Sequence, residues 1–414
     1  MRLLVVTQYF WPESFRINDL VAELRSKGHD VTVLTGWPNY PDGKVFDPYR
    51  KDPAQYASFE GARVVRVPLL PRGRGGMRLI LNYLTFALSA SVLGLWKLRG
   101  QNFDVVLVHE PSPITVGLPG AVMRAAKRAP MALWVLDLWP ETLKAVGVVK
   151  SEWLLRLVGR LVSFIYWRCD LILAQSRSFI PQIRRYAGQA RRIEYFPSWA
   201  ESVFDGSVVE VAPEVPTKPG SFSVMFAGNI GEAQDFSAIL AAAQALKEHV
   251  HIRWLIVGDG RMGEWVNQEV IARGLENCVQ LFGRFPVERM PSFFRHADAL
   301  LVSLKDDPIF AMTIPGKLQS YLAAGVPVIA MLNGEGAELL SQAGAGLACA
   351  AGDSAGLAQV ALRMAGMKEE ERLAMGLRGK ALYAREFERQ ILLGRIEGWL
   401  LDLAAGNVTA REQA

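Results

Sequence analysis

Residues 312–330 read M-T-I-P-G-K-L-Q-S-Y-L-A-A-G-V-P-V-I-A. A Pro-Gly turn carrying Lys317 opens a short apolar helix over 318–324, Gly325 closes it, and Pro327 leads into a buried strand at 328–330. A loop that opens a helix presents unpaired backbone N–H groups and a partial positive charge, which suits an anion such as a diphosphate. Lys317 stands at that mouth. The spacing therefore predicts a loop–helix–strand unit built to hold an anion, with the rest of the chain forming a cleft against it.

Working back from this stretch, strands are predicted at 223–227, 252–257, 279–281 and 299–304, with helices at 236–247, 265–273 and 291–295 between them. Helices follow at 355–364, 369–387 and 391–403. The first half repeats the architecture. Apolar runs predict strands at 2–7, 31–35, 63–67, 104–108, 132–136, 171–174 and 193–196, and helical spacing predicts helices at 15–26, 79–96, 117–128 and 153–168. Strands alternating with helices in this way imply doubly wound, parallel α/β sheets. At 414 residues two domains are expected. The shift to Val, Glu, Pro and Gly over 205–221 marks a linker, giving domains at 1–204 and 222–385.

The chain carries 46 basic and 41 acidic residues, a net charge of +5, too small to argue for nucleic acid as a partner. Cys169, Cys278 and Cys349 stand far apart with no C-x-x-C, which fits a reducing cytoplasm and no structural zinc. The N-terminal run M-R-L-L-V-V-T is only of strand length and does not read as a signal peptide. The segment 79–96 is nearly free of charge but contains Asn82, Thr85, Ser89 and Ser91; it reads as a buried or membrane-facing helix rather than a span.

Ligands of doubly wound sheets bind at the carboxyl edges of the strands. In the second half Gly228, Gly231, Gly258, Gly260 and Gly283 all follow strands, and glycine lets a backbone approach a ligand closely. No G-x-x-x-x-G-K-[ST] run is present, which argues against a plain P-loop site. In the first half Asp137 and Glu141 bracket Trp139 and Pro140, carboxylates beside an aromatic ring as sugar binding requires; an N-cap beside a core tryptophan is the plainer alternative. His109 ends another strand. Lys305-Asp306-Asp307 reads as a solvated loop rather than a metal site.

Seven segments carry a resemblance across nearly the whole chain: V-T-Q-Y-F-W-P-E (6–13), L-R-S-K-G-H-D-V-T-V-L-T (24–35), N-Y-P-D-G-K (39–44), D-L-W-P-E-T (137–142), F-A-G-N-I-G (226–231), V-G-D-G (257–260) and I-P-G-K-L-Q-S-Y-L-A-A-G-V-P-V-I-A (314–330). Through them the chain resembles the retaining family 4 (group 1) glycosyltransferases of GT-B fold, and is similar to bacterial O-antigen and capsule enzymes, N-acetyl-L-fucosaminyltransferases among them. The resemblance implies two Rossmann-like domains facing across a cleft, with C-terminal helices (386–414) crossing back to the first. It implies a nucleotide sugar on the second domain, at Gly228, Asn229, Gly231, Gln234, Gly258, Phe285, Leu318, Ser320 and Tyr321. The acceptor falls to the first domain, at Trp11, Glu13, Asn18, His109, Trp139 and Glu141. Asp137, Lys317 and Arg261 carry the catalytic roles. Two departures stand out. The family's basic pair on the phosphates falls at Asn229 and Gln234, and its E-x7-E motif falls at Met312 and Ser320.

The expected activity is retaining transfer of a sugar, an N-acetylated amino sugar, from a UDP-sugar to a polyprenyl-diphosphate-linked saccharide in O-antigen (lipopolysaccharide), capsule or exopolysaccharide synthesis, with no metal requirement. Arg72, Arg74, Arg78, Trp96, Lys97, Arg156, Arg160, Trp167 and Arg168 suit a cytoplasmic enzyme peripheral to the inner face of the membrane. A two-Rossmann UDP-sugar epimerase and a non-catalytic partner subunit are the alternatives.

Overall fold

The computed structural model describes residues 1–41, 43–73, 76–145, 149, 151–204 and 209–407. They fall into two compact units, one formed by Met1–Phe196 with Gln390–Ala414, the other by Pro197–Arg389.

The first unit is an eight-stranded sheet. Its strands are β1 (Arg2–Val6), β2 (Asp30–Gly36), β3 (Ser58–Phe59), β4 (Ala62–Val67), β5 (Val105–Glu110), β6 (Met131–Val135), β7 (Leu171–Ala174) and β8 (Ile193–Tyr195), in the spatial order β3-β4-β2-β1-β5-β6-β7-β8. All pairs are parallel except β3 with β4. The apolar runs of β1, β5 and β6 are buried on both faces, as a parallel sheet covered by helices demands. Helix α1 (Arg16–Ser26) turns Ile17, Leu20, Val21 and Leu24 inward and ends before Gly28, whose φ of 82° only glycine adopts freely. Further helices are α2 (Gly76–Ser89), α3 (Gly117–Lys127), α4 (Glu141–Ala145), α5 (Glu152–Tyr166) and α6 (Phe179–Ala187). The sequence reading passes over α6, although Phe179, Ile183 and Ala187 fall at helical spacing and are buried.

Gly76–Lys97, which is α2 and its continuation, is long and apolar enough to cross a membrane by length and composition alone, but one third of its most apolar window is buried in the unit. Asn82 fastens it there, donating to the Leu70 carbonyl at 2.7 Å and accepting from Gln8 Nε2 at 2.7 Å. The expected membrane-facing or buried helix is thus one with a packed face and an open face.

The second unit is a wholly parallel six-stranded sheet of β9 (Phe222–Ala227), β10 (Ile252–Val257), β11 (Val279–Gly283), β12 (Ala299–Ser303), β13 (Val328–Met331) and β14 (Gly346–Cys349), ordered β11-β10-β9-β12-β13-β14. Helices α7 (Phe236–Ala245), α8 (Gly263–Ala272), α9 (Gly316–Ala324), α10 (Glu335–Ala343), α11 (Ser354–Ala365) and α12 (Glu369–Glu386) flank it. Its strand order reverses between β9 and β12, and the crevice at such a switch is where these sheets bind ligands.

The unit boundaries differ from the sequence expectation. The chain enters the second unit at Pro197 rather than after 204. Of the expected linker, residues 205–208 lie outside the described residues, and the rest is docked: Ala212 and Val215 are buried, and Glu214 pairs with Arg289 at 2.9 Å. The apolar side chains interspersed in that segment find core surface, so it does not behave as a spacer. The last helix, α13 (Arg389–Ala404), belongs to the first unit from Gln390 onward, whereas α12 remains with the second. Glu397 of α13 receives Lys27 at 2.8 Å and His29 at 2.7 Å.

Candidate active site

In the second unit the loops after β9 and β10 are in backbone contact. A Cβ on Gly258 would stand 1.9 Å from the Gly228 carbonyl oxygen, and both residues hold φ values, 146° and 134°, that exclude ordinary side chains. A Cβ on Gly228 would also meet Lys317 Cε at 2.5 Å. The glycine therefore makes room for the lysine, which reaches from the first turn of α9 across the end of β9. Its ammonium lies 3.6 Å from the centroid of the Phe226 ring. Among the described residues it has no hydrogen bond and no carboxylate within ion-pair reach. Burial pushes its pKa down to about 7. A cation without a counterion, at a helix N-terminus and a sheet switch point, is an arrangement whose geometry and electrostatics suit an anion.

Other residues expected here divide sharply. Arg261 is exposed on the loop after β10, with no ion pair among the described residues, and Asn229 is exposed on the loop after β9. Phe285 is half-buried against Phe293, with centroids 4.6 Å apart. Three expected contacts are corrected. Leu318 is fully buried and its amide donates to the Pro315 carbonyl, so it faces the core. Tyr321 is buried, its hydroxyl accepting from the Ala227 amide at 3.0 Å and donating to the Ala227 carbonyl at 3.1 Å; it ties α9 to β9. The amide of Gly231, expected with Gln234 to meet the nucleotide sugar, donates instead to Gln234 Oε1 at 3.0 Å, so Gln234 shapes its own loop. Ser320 is buried and donates to Glu201 Oε2 at 2.8 Å. Where the family motif would place a glutamate, this chain has a serine engaged by a carboxylate from the segment entering the unit. Asp306 receives Asn333, and Asp307 caps the turn at Ile309, so both serve the loop.

In the first unit Asp137 follows β6 and is held by its own motif. Thr142 Oγ1 donates to one carboxylate oxygen and Trp139 Nε1, at 3.1 Å, to the other. Burial raises the Asp137 pKa, while bonds from Thr142, Ser112 and Trp139 pull it back. The pKa of Glu110, fully buried at the end of β5, is raised well above its ordinary value by burial and by the charge of Asp137. Trp139 is itself buried against Tyr83, so its indole positions Asp137 instead of offering a stacking face. His109 is another correction: it is 1% exposed, bonded to Thr7 Oγ1 at 3.1 Å, and held neutral by burial with a pKa near 3. A residue inside a central strand, one position before its end, points into a helix-covered face.

Glu13 is buried and accepts three backbone amides, from Phe10, Asn39 and Tyr40, which staples the loop after β1 to the loop after β2. Burial pushes its pKa up to about 7 against those donors. Asn18 bridges the Trp11 amide and the Glu13 carbonyl, and Trp11 packs on Tyr56 and Phe59. These three build the loop; the structure does not present Glu13 at its surface. Glu141 opens α4, and its Oε1 accepts from Tyr186 at 3.0 Å. Sequence reasoning passed over Thr142, Phe226, Glu201 and Tyr186. The first two lie within the quoted motifs, so their spacing to Asp137 and Lys317 was available; Glu201 and Tyr186 are distant in sequence and carried no signal.

Residues 14–199 match the family model described as Glycosyl transferase 4-like domain, and residues 221–366 match Glycosyl transferases group 1. A Pseudomonas aeruginosa protein named "Probable glycosyltransferase WbjE" is 28% identical over 272 residues, 63% of this chain and 66% of that protein, just under two thirds of its length. An Escherichia coli (strain K12) protein named "Putative colanic acid biosynthesis glycosyl transferase WcaI" is 26% identical over 340 residues, 78% of this chain and 82% of its own. Among solved structures, HepE of Anabaena in complex with UDP aligns over 97% of this chain and 100% of its own, with a TM-score of 0.67 at 14% identity, a likeness of fold.

Proposed function

We propose, from the premise that this chain belongs to the group 1 glycosyltransferases of family 4 and has the GT-B fold, that it moves a sugar from a UDP-sugar to a lipid-linked saccharide, with retention at the anomeric carbon. The observation that carries the reading is the Lys317 ammonium, desolvated and without a counterion at the mouth of α9. As the donor's glycosidic bond breaks, negative charge builds on the departing diphosphate. Lys317, the α9 N-terminus and Arg261 supply preorganised positive charge where it develops. The acceptor hydroxyl attacks from the face the diphosphate leaves, which gives retention without an enzyme nucleophile. Asp137, oriented by Thr142 and Trp139, directs sugar or acceptor hydroxyls. Charge supplied by these side chains is the support for turnover without a metal. The solved HepE–UDP complex supports UDP as the nucleotide of the donor, and the name of WcaI supports a polysaccharide product. We take the donor sugar to be an N-acetylated amino sugar.

The lipid-linked acceptor and a place at the cytoplasmic membrane surface are supported by the open face of Gly76–Lys97. Met77, Leu84, Leu88, Val92 and Trp96 are between 51% and 72% exposed there, beside Arg78 and Lys97; Arg74 lies outside the described residues. Incubating the protein with UDP-sugars and a polyprenyl-diphosphate saccharide, and assigning the anomeric configuration of the product by NMR, tests the whole reading. Transfer with retention is expected. Interconverted UDP-sugar without acceptor would instead reveal an epimerase, and no nucleotide-sugar binding a non-catalytic subunit.

A further inference from the structure

The loop after β2 reads W-P-N-Y-P-D-G-K over 37–44, and its aromatic residues have no part in the chemistry assigned above. Trp37 and Tyr40 are 37% and 36% exposed, whereas Trp11 and Trp139, the rings expected to meet a sugar, are taken up in packing. Between them Asn39 is wholly buried and organises the loop. Its Nδ2 donates to the Trp37 carbonyl at 2.9 Å, and its Oδ1 accepts from the Arg72 amide at 3.1 Å. Its own amide and that of Tyr40 both donate to Glu13 Oε1, at 2.8 and 2.7 Å. Pro38 and Pro41 restrict φ on either side. One buried amide side chain thus sets the backbone at Trp37 and Arg72, and one buried carboxylate oxygen sets it at Tyr40.

The Arg72 guanidinium lies over the Tyr40 ring, 5.4 Å from its centroid. That ring is backed in turn by Tyr9 and Phe15, with centroids 5.5 and 5.3 Å away. Arg72 is half-buried and makes no ion pair among the described residues. A guanidinium resting on a ring uses its face there and leaves its planar fork of N–H donors for an anion. The exposed rings suit the apolar face of a pyranose. The segment leading to Arg72 is fastened to α2: the Leu70 amide donates to Thr85 Oγ1 at 3.0 Å, and its carbonyl accepts from Asn82 at 2.7 Å. On the other side, Asp137 follows β6, three strand spacings along the same sheet edge from β2 and so roughly 14 Å away. An unpaired arginine, two accessible rings and a buried frame that fixes all three make a preorganised site for a sugar that carries an anion.

We propose that Trp37, Tyr40 and Arg72 form the subsite for the glycosyl diphosphate of the acceptor. The rings pack on the sugar joined to the diphosphate, Arg72 takes the diphosphate itself, and the saccharide extends along the sheet edge toward Asp137, where its hydroxyl receives the new sugar. Asn39 and Glu13 are positioning residues for the subsite. The inference rests on the reading of the acceptor as a polyprenyl-diphosphate-linked saccharide, and it adds to that reading the residues that recognise the acceptor and the direction in which it lies.

Calorimetry on the full-length protein in saturating UDP, which fills the site at Lys317, compares two probes: hexyl diphospho-N-acetylglucosamine and the neutral hexyl N-acetylglucosaminide. Wild type is expected to bind the diphosphate probe at least about tenfold more tightly, and Arg72→Gln to bind the two alike. Trp37→Ala should weaken both probes about threefold to tenfold, and Trp37→Phe should regain most of that loss. Equal binding of the two probes by wild type, or binding of neither, overturns the subsite. So does a preference that persists in Arg72→Gln, or binding left unchanged by Trp37→Ala. Transfer assays with the diphosphate probe as acceptor give the second readout. Arg72→Gln should raise the KM for the acceptor and leave the KM for the UDP-sugar level. Probe binding as expected without transfer from any UDP-sugar retains the subsite and removes the transferase reading. Transfer whose acceptor KM is untouched by Arg72→Gln removes the subsite and retains that reading.

Discussion

The ammonium of Lys317 lies 3.6 Å from the centre of the Phe226 ring, and no carboxylate among the described residues comes within ion-pair reach of it. The ring's electron-rich face gives it partial compensation. The remaining imbalance makes the site receptive to an anion, and it makes the lysine a cost to the fold in the ligand's absence.

Lys317→Met is accordingly expected to separate binding from stability. A half-buried charge without a counterion is replaced by an apolar chain of similar length, so the melting temperature should stay level or rise. UDP affinity and turnover should each fall at least about tenfold, the loss of a charge-assisted contact to phosphate. Calorimetry with UDP beside thermal unfolding measures both; unchanged affinity removes Lys317 from the site.

The pH dependence follows from the same residue. With its pKa near 7 in the free protein, Lys317 is partly neutral at neutral pH, and a bound diphosphate restores the proton. UDP affinity should therefore weaken as pH rises above about 7, with up to one proton taken up per UDP bound, measurable by calorimetry in buffers of different ionisation enthalpy. The folded pKa lies below the unfolded value, so between about 7 and about 10.4 the unfolded chain binds the extra proton and this group's contribution to stability rises with pH. Lys317→Met should abolish both effects.

Tyr321→Phe should act on the fold. The substitution removes the hydroxyl that pairs with both the amide and the carbonyl of Ala227. Leaving those buried groups without a partner costs about 1–3 kcal/mol, readable in urea unfolding. UDP affinity should fall less than for Lys317→Met, because Tyr321 is enclosed between α9 and β9. An affinity loss larger than that for Lys317→Met, without loss of stability, would return Tyr321 to the ligand.

Gly258→Ala should be far worse than Gly316→Ala. The first sets a methyl group 1.9 Å from the Gly228 carbonyl oxygen at a φ of 146°, while the second meets nothing within 4 Å. We expect Gly258→Ala to lose more than about 3 kcal/mol and Gly316→Ala to stay within about 0.5 kcal/mol of wild type. Chemical denaturation of the two proteins compares them directly.

Periodicity and punctuation in the sequence determined the two doubly wound sheets, because alternating buried strands and amphipathic helices are local patterns. They also placed Lys317 at a helix mouth and Asp137 at a strand end, since both follow from position within a single strand–loop–helix unit. The motif D-L-W-P-E-T already contained Thr142 and Trp139, which hold Asp137. What the tertiary structure alone decided is which neighbours in sequence face the ligand side and which face the core. Lys317, Leu318 and Tyr321 are within one turn and a quarter of helix, yet only the lysine turns toward the anion site; Leu318 enters the core and Tyr321 closes on Ala227. His109 and Glu13 likewise went to the interior, and Ser320 met Glu201 across a separation no local pattern reports. The reason is physical: a strand or helix period fixes the direction of a side chain relative to its own element, whereas burial, desolvation and the presence of a counterion depend on elements packed from elsewhere in the chain.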